Sequence, residues 1–294
     1  MRLVKWALGA AVLGAAVYWG VTRPAGLDPA FAGVTGDAEA GALSFAAGGC
    51  ASCHSAPGAT GEAKLVLAGG KAFASPFGTF YAPNISPSEA GIGGWSSQDL
   101  ALAMTEGVSP GGQHYFPAFP YTSYQKASPQ DVAGIYAYVM TLPADATPSK
   151  AHEVGFPYNI RRNMGGWKFL FGGGDWAVGG ELTEAQERGR YLVEGLAHCG
   201  ECHTPRNALG GLQRGQWLGG AANPSGEGRI PNITPGGLDW SEGDIAEYLS
   251  SGFTPEFDTA GGEMVDVIEN IAQLSDADRT AIAAYLKVVP SVSN

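Results

Sequence analysis

Basic side chains are scarce in this 294-residue sequence: 17 Lys and Arg stand against 28 Asp and Glu, which gives a formal net charge of −11. Proteins that bind nucleic acid neutralise its phosphates with Lys and Arg, so this balance argues against nucleic acid as a partner. An acidic surface keeps a protein soluble, and it would also steer a basic docking partner.

Long uninterrupted helices and strands are not expected, because 45 glycines and 19 prolines are spread through the chain. Apolar residues make up 45% of the sequence, which is enough for a buried core, and the length suits about two domains. We therefore expect a mainly α protein, built from short helices joined by long irregular connections.

Cysteine is almost absent, and all four cysteines lie in two Cys-x-x-Cys-His strings, at 50–54 and 199–203. No thiol is left over, which excludes a free cysteine nucleophile and a cysteine axial ligand. The spacing is the signature of covalent haem c attachment. It predicts two covalently attached haems c, held by the thiols of Cys50, Cys53, Cys199 and Cys202, with His54 and His203 as the proximal iron ligands.

Two other interpretations of these strings, a zinc site and a pair of disulfides, explain them less well than haem. A zinc site would use the two cysteine pairs and the two histidines, but zinc does not require His directly after the second Cys. Two disulfides would each close a tight bridge across two residues and would leave both histidines unexplained. Haem attachment is therefore favoured.

One apolar run, at 6–21, follows the positively charged N-terminus, which suits either a signal peptide or a membrane anchor. The only suitable cleavage string, at 30–32, lies beyond Arg23. Tyr18 and Trp19 suit an interfacial aromatic belt. We favour a retained anchor or uncleaved signal at 1–24, with the rest of the chain on the periplasmic side of a bacterial inner membrane.

The sequence repeats itself when the two Cys-x-x-Cys-His strings are aligned. Three further pairs of segments then fall into register: 83–87 with 231–235, 95–99 with 240–244, and 111–114 with 261–264. Ser-x-x-Asp strings starting at Ser96, Ser128, Ser241 and Ser275 each mark a helix N-terminus. We expect two tandem domains, 36–142 and 181–290, joined by an aromatic segment, 143–180, that packs across both.

Each haem needs a sixth ligand for electron transfer or an open position for chemistry. Met264 lies in a glycine-rich loop of the second domain, and a thioether ligand raises the haem potential. His114 occupies the same register in the first domain, and we expect it to bind the first iron. Met104, Met140 and an open or water-bound iron remain alternatives there.

Several other side chains are candidates for contact with haem propionates. Arg206 follows the second haem string and is placed to neutralise a propionate. Trp95 and Trp240 would donate their indole N–H groups to propionates or fill the core. The pair Arg161 and Arg162 would meet propionates or form a solvated charge pair.

Residues 82–121 contain Ala-Pro-Asn-Ile-Ser-Pro, Gly-Ile-Gly-Gly-Trp and Gly-Gln-His-Tyr-Phe-Pro-Ala-Phe-Pro-Tyr. With these strings the chain resembles the dihaem and trihaem cytochrome c subunits of periplasmic alcohol, aldehyde and sugar-acid dehydrogenases. The resemblance implies two class I cytochrome c domains, each a few short helices wrapped around one covalent haem. Family members often carry Met where this chain has Phe119 or Ala127, a departure that favours His114 as the first distal ligand.

The resemblance implies a carrier that takes electrons from a quinoprotein, flavoprotein or molybdenum partner and passes them to quinone or another cytochrome. We expect electron transfer in the periplasm between a dehydrogenase or other donor and a respiratory or photosynthetic acceptor, without catalysis by this chain. The competing hypothesis is a peroxidase-like haem enzyme that uses an open first haem.

Overall fold

The computed structural model describes residues 2–224 and 228–293. The N-terminal apolar run forms helix α1 (Arg2–Val21), whose side chains are all exposed and which is long and apolar enough to cross a membrane. Twenty helical residues span about 30 Å, the thickness of a bilayer hydrocarbon core. Met1, the first residue of the predicted anchor, lies outside the described residues.

The rest of the chain is mainly helical, and its helices are short and joined by irregular connections, as the glycine and proline content predicts. Helices before residue 180 are α2 (Ala38–Ala47), α3 (Cys50–His54), α4 (Ser97–Glu106), α5 (Tyr121–Tyr124), α6 (Pro129–Val139) and α7 (Asn163–Phe171). Those after it are α8 (Glu184–Tyr191), α9 (Gly200–His203), α10 (Glu242–Ser251), α11 (Met264–Ile271) and α12 (Asp276–Leu286).

Strands are few and short. β1 (Ala72–Ser75), β2 (Gly78–Tyr81) and β3 (Glu153–Val154) form an antiparallel sheet in that order, with Ala72 opposite Tyr81 and Gly78 opposite Val154. β4 (Ala221–Ala222) pairs with β5 (Arg229–Ile230). The first sheet joins the segment after α6 to the hairpin that follows the first haem string.

The four predicted helix starts are confirmed. The hydroxyl of Ser96 accepts the backbone N–H of Asp99 at the start of α4, and Ser241 does the same for Asp244 at the start of α10. Ser128 and Ser275 cap α6 and α12 in the same way. Each cap satisfies a helix N–H that would otherwise have no partner.

Two close helix crossings depend on glycine. A Cβ atom on Gly41 of α2 would lie 2.0 Å from the carbonyl oxygen of Gly134 of α6. A Cβ atom on Gly189 of α8 would lie 1.9 Å from the carbonyl oxygen of Ala281 of α12. Only a hydrogen fits at these positions, so α2 packs tightly on α6 and α8 on α12.

Gly41 lies nine residues before Cys50, whereas Gly189 lies ten before Cys199. A turn of π-helix at Leu192–Leu196 accommodates the extra residue. It contains Glu194, which is only 1% exposed and accepts hydrogen bonds from the backbone N–H groups of Ala177 (2.7 Å) and Val178 (3.3 Å).

The segment after α6 contacts both flanking parts of the chain. The indole N–H of Trp167 donates to the carbonyl of Leu209 (2.9 Å), and the ammonium of Lys168 donates to the carbonyl of Gly107 (2.8 Å). One hydrophobic core extends through both halves, from Leu67 and Val132 to Tyr285.

Candidate haem sites

The two predicted proximal histidines have the same orientation. His54 ends α3 and His203 ends α9, and their Nδ1 atoms lie 2.8 Å from the carbonyl oxygens of Pro83 and Pro231, respectively. An Nδ1–H that donates to a carbonyl fixes the tautomer in which Nε2 carries the free lone pair. Burial lowers the pKa of both rings, which favours the neutral, ligating form.

The repeated Pro-Asn-Ile strings explain how these carbonyls are positioned. Asn84 accepts the N–H of Ser86 (2.8 Å), and Asn232 accepts the N–H of Thr234 (2.9 Å), so each Asn closes a turn directly after its proline. The sequence repeat marked these strings, but the part played by the Pro83 carbonyl was not foreseen.

The four cysteine sulfurs are unbridged. Burial raises the pKa of the Cys50 and Cys199 thiols to about 12 and that of Cys53 to about 11. Within 2–224 and 228–293, no group of three or more His, Cys, Asp and Glu is arranged to hold a metal ion. Paired thiols beside a correctly oriented imidazole fit haem c.

The two haem strings face each other across the interface between the halves. Burial is the main cause of the raised pKa of Cys53, and the nearby Glu263 and Cys202 add to it. The amide of Asn270 donates to the hydroxyl of Ser52 in the first string (2.7 Å). Glu201 of the second string accepts the hydroxyl of Ser123 from the first half (3.0 Å).

Met264 is the first residue of α11, which is tied to the first half by ion pairs. Lys64 contacts Asp266 at 2.9 Å, and Lys71 contacts Glu263 at 2.8 Å. The helix that begins with the predicted ligand of the second haem is thus held against the first haem string. Ligation by Met264 itself stays a prediction.

The predicted register of His114 with Met264 is wrong: His114 forms a bridge with Val108 after the Gly107 cap of α4, and the matching bridge after the Gly252 cap of α10 pairs Phe253 with Thr259. His114 is 3% exposed, its Nε2 lies 3.0 Å from the carbonyl of Thr22 at the end of α1, and its Nδ1 lies 3.1 Å from the ammonium of Lys168. Burial lowers the pKa of His114, so the neutral ring donates through Nε2 and accepts through Nδ1. Ligating iron would require it to give up one of these bonds.

The alternative methionines lie elsewhere. Met104 is buried in α4 within the core, and Met140 caps the C-terminus of α6 while packing on that core. Neither methionine lies in the loop that corresponds to Met264.

Of the predicted propionate contacts, Arg206 has protein partners for its guanidinium. Arg206 pairs with Glu201 and donates to the carbonyl of Gly210 (2.8 Å). Trp95 and Trp240 pack on the core. The backbone carbonyl of Trp95 accepts a hydrogen bond from Tyr136, and that of Trp240 accepts one from Lys287.

Arg161 and Arg162 do not form a solvated pair. Arg161 donates to the carbonyl of His114 (3.1 Å), and Arg162 donates to the carbonyl of Trp19 (2.9 Å).

Trp217 is a residue that the sequence reasoning missed. Its indole nitrogen is buried, and the hydroxyl of Tyr285 is its polar neighbour. Its ring lies so close to the second haem string that a Cβ on Gly200 would be 2.1 Å from it. The ring of Trp217 therefore forms part of the wall of the second candidate haem site.

Comparison with known proteins agrees with this geometry. The cytochrome c family model matches residues 38–143. A protein of Cereibacter sphaeroides described as "Diheme cytochrome c-type" is 58% identical over 283 residues, covering 96% of this chain and 95% of that protein.

Two dehydrogenase subunits are also similar. The fructose dehydrogenase cytochrome subunit of Gluconobacter japonicus is 40% identical over 82% of this chain, and the gluconate 2-dehydrogenase cytochrome c subunit of Pantoea cypripedii is 38% identical over 82%. The chain spans 50% and 57% of their lengths. Because the Cereibacter relative matches almost from end to end and the haem strings are oriented alike, this chain belongs to the dihaem c-type cytochromes.

Proposed function

We propose that the chain holds two haems c in two tandem class I cytochrome c domains, 36–142 and 181–290. It then carries electrons from one haem to the other on the periplasmic side of the inner membrane. Haem iron supplies the one-electron exchange. The chain attaches each haem through paired thiols, orients the proximal imidazoles and sets the separation of the two groups.

The position of the two attachment strings at the interface between the halves is the observation that carries this proposal. Ser52 of the first string bonds to Asn270, and Glu201 of the second bonds to Ser123, so both strings lie at one interface. Groups attached there lie close together, as direct electron transfer between them requires. A pair of separate cytochrome domains on a flexible linker would not need such contacts.

The dehydrogenase relatives support a particular kind of donor. We infer that a dehydrogenase or another periplasmic donor reduces the chain, and that another cytochrome or a quinone-linked complex oxidises it. The chain matches only about half the length of those subunits, so the identity of the partner rests on this inference alone.

We assign Met264 to the second iron from its place in the second half of the sequence repeat, and the preceding residue, Glu263, lies near enough to Cys202 of the second haem string to add to the effect of burial in raising the pKa of that thiol. For the first iron, the two hydrogen bonds of His114 count against the ligand role favoured from sequence, and Met104 and Met140 lie in or on the core.

Helix α1 is proposed to remain as an anchor, with the cytochrome body outside the cytoplasm. Its length matches the bilayer core, and its last turn packs on the body. Covalent haem attachment outside the cytoplasm agrees with this placement.

The experiment is a haem count and EPR on the full chain and on two matched variants, Cys50→Ser/Cys53→Ser and Cys199→Ser/Cys202→Ser. We expect two haems c per chain in the parent, one in each variant, and two low-spin ferric signals that the variants assign to one haem each. One haem in the parent would contradict the proposal.

EPR of a His114→Ala variant then tests the first distal ligand. Loss of a bis-histidine signal would establish His114, and an unchanged signal would exclude it. A high-spin signal from the first haem in the parent would contradict a pure carrier and favour the peroxidase-like enzyme.

A further inference from the structure

Helix α7 lies across the C-terminal end of α1. The hydroxyl of Tyr18 donates to the side-chain oxygen of Asn163 (2.9 Å), and the guanidinium of Arg162 stacks 3.6 Å from the ring centroid of Trp19. A Cβ atom on Gly165 would lie 2.6 Å from the Cα of Thr22, so the two backbones touch. These contacts fix α7 beside the last turn of α1.

The inner side of α7 is tied to the cytochrome body. Lys168 donates to the carbonyl of Gly107 (2.8 Å) and to Nδ1 of His114, whose Nε2 donates in turn to the carbonyl of Thr22. The end of α1, the helix α7 and the body thus form one connected unit, and the outward side of α7 has a defined direction.

That outward side is apolar. Phe169 is 72% exposed and Leu170 is 64% exposed, although both follow directly after the inward-facing Lys168. The loop leading into α7 adds two more exposed apolar side chains, Phe156 and Ile160. An exposed apolar helix face in an acidic protein marks an interaction surface.

The position of this surface relative to α1 identifies what covers it. Phe169 lines the same cavity as Val21, the last residue of α1, and Arg23. When α1 spans a bilayer, Val21 marks the depth at which the chain leaves the hydrocarbon. Apolar and aromatic side chains beside arginines are the composition that partitions at this depth.

We propose that α7 is an interfacial helix that lies on the bilayer, with Phe169 and Leu170 inserted at the boundary between headgroups and acyl chains. The inference rests on the retained anchor in the proposed function and goes beyond it. A single spanning helix would leave the body free to tilt, whereas α7 gives a second contact and fixes the height and orientation of the haems above the membrane.

The test is photolabelling of the full holo-protein in vesicles of phosphatidylcholine and phosphatidylglycerol that contain a diazirine phospholipid, followed by peptide mass spectrometry. We expect label on α1 and on the peptide with Phe169 and Leu170. Phe257 is the matched control: it is 89% exposed, but it lies in the loop before α11. We expect no label there.

The outcomes separate the docking of α7 from the anchor. Label on α1 without label on α7 would overturn the proposal and leave the anchor intact, with the apolar face available to a protein partner. Absence of label on α1 would remove the anchor itself. Equal label on Phe257 and Phe169 would show non-specific adsorption and would also overturn the proposal.

A Phe169→Ser/Leu170→Ser variant, compared with Phe257→Ser, supplies a second measurement. Linear dichroism of the haem bands in oriented membranes should be lost or reduced in the α7 variant and retained in the control. Because all three side chains are exposed, unchanged far-ultraviolet circular dichroism verifies the fold. Dichroism that is equal in both variants would refute a positioning role for α7.

Discussion

Replacing Gly41 with Ala should destabilise the protein through a single added methyl group. The new Cβ would lie 2.0 Å from the carbonyl oxygen of Gly134, whereas ordinary contacts begin at 3.4 Å, so α2 and α6 must separate by about 1.4 Å. Overpacking costs about 1–3 kcal/mol, and the rigid backbone obstacle places this case near 3 kcal/mol. Alanine regains about 1 kcal/mol of helix propensity. The net expected loss is about 2 kcal/mol.

Urea unfolding of the holo-protein, followed by far-ultraviolet circular dichroism, measures this loss as a lower transition midpoint. Gly243→Ala is the matched control, because Gly243 also lies in a helix, α10, but its added Cβ would meet only the Ser241 hydroxyl at 3.7 Å. We expect that control to gain up to about 1 kcal/mol.

Gly189→Ala extends the same reasoning to the crossing of α8 and α12, where the Cβ would lie 1.9 Å from the carbonyl of Ala281. It should lose as much stability as Gly41→Ala. The reasoning would be refuted if Gly41→Ala were as stable as the parent, or if Gly243→Ala lost an equal amount.

Three further outcomes are expected. Lys71→Met should lower the unfolding free energy by up to about 1 kcal/mol, because it removes the ion pair with Glu263. It should also lower the reduction potential of the second haem, because the loss of that pair loosens Met264. An unchanged potential in a potentiometric titration would exclude this link. Glu194→Gln should lower the unfolding free energy by about 2–3 kcal/mol in urea, because the amide leaves a buried donor without an acceptor, whereas Tyr285→Phe removes one bond and should cost less. Burial, with Arg161 nearby, lowers the pKa of His152, so the unfolded chain binds more protons below pH 6.5 and stability should fall as the pH decreases through that range. His152→Asn should make the fall of the thermal midpoint between pH 7 and 5 shallower, and an equal slope in both proteins would contradict this.

The chemistry of the haem strings could be predicted from the sequence because it depends on covalent spacing. Two thiols two residues apart, followed by His, define the attachment without any knowledge of the fold. The helix starts at Ser96 and Ser275 were equally accessible, since a cap and the helix it begins are adjacent in the chain. The carbonyl partner of His54 was not, because Pro83 lies 29 residues away.

His114 shows where register alone is insufficient. It aligns with Met264 in the sequence repeat, but Met264 begins a helix, whereas His114 lies in an extended bridge with Val108. The chain before the first haem string then decides its environment, because the end of α1 has no counterpart in the second half. The structural counterpart of His114 is Thr259, which forms the matching bridge with Phe253, so the alignment of glycine pairs placed the loop in the wrong register.

The interface between the two halves also limits how independently the two haem sites behave. Lys71 follows the first string, yet its ion pair is with Glu263, directly before the predicted ligand of the second iron. Ser52 lies inside the first string and bonds to Asn270 on the helix that begins with that ligand. Because Ser52 and Lys71 both contact α11 or the residue directly before it, the effects of substituting them should not be additive. A substitution aimed at one haem should therefore shift both potentials, and a double-mutant cycle between Ser52→Ala and Lys71→Met should give a coupling energy different from zero.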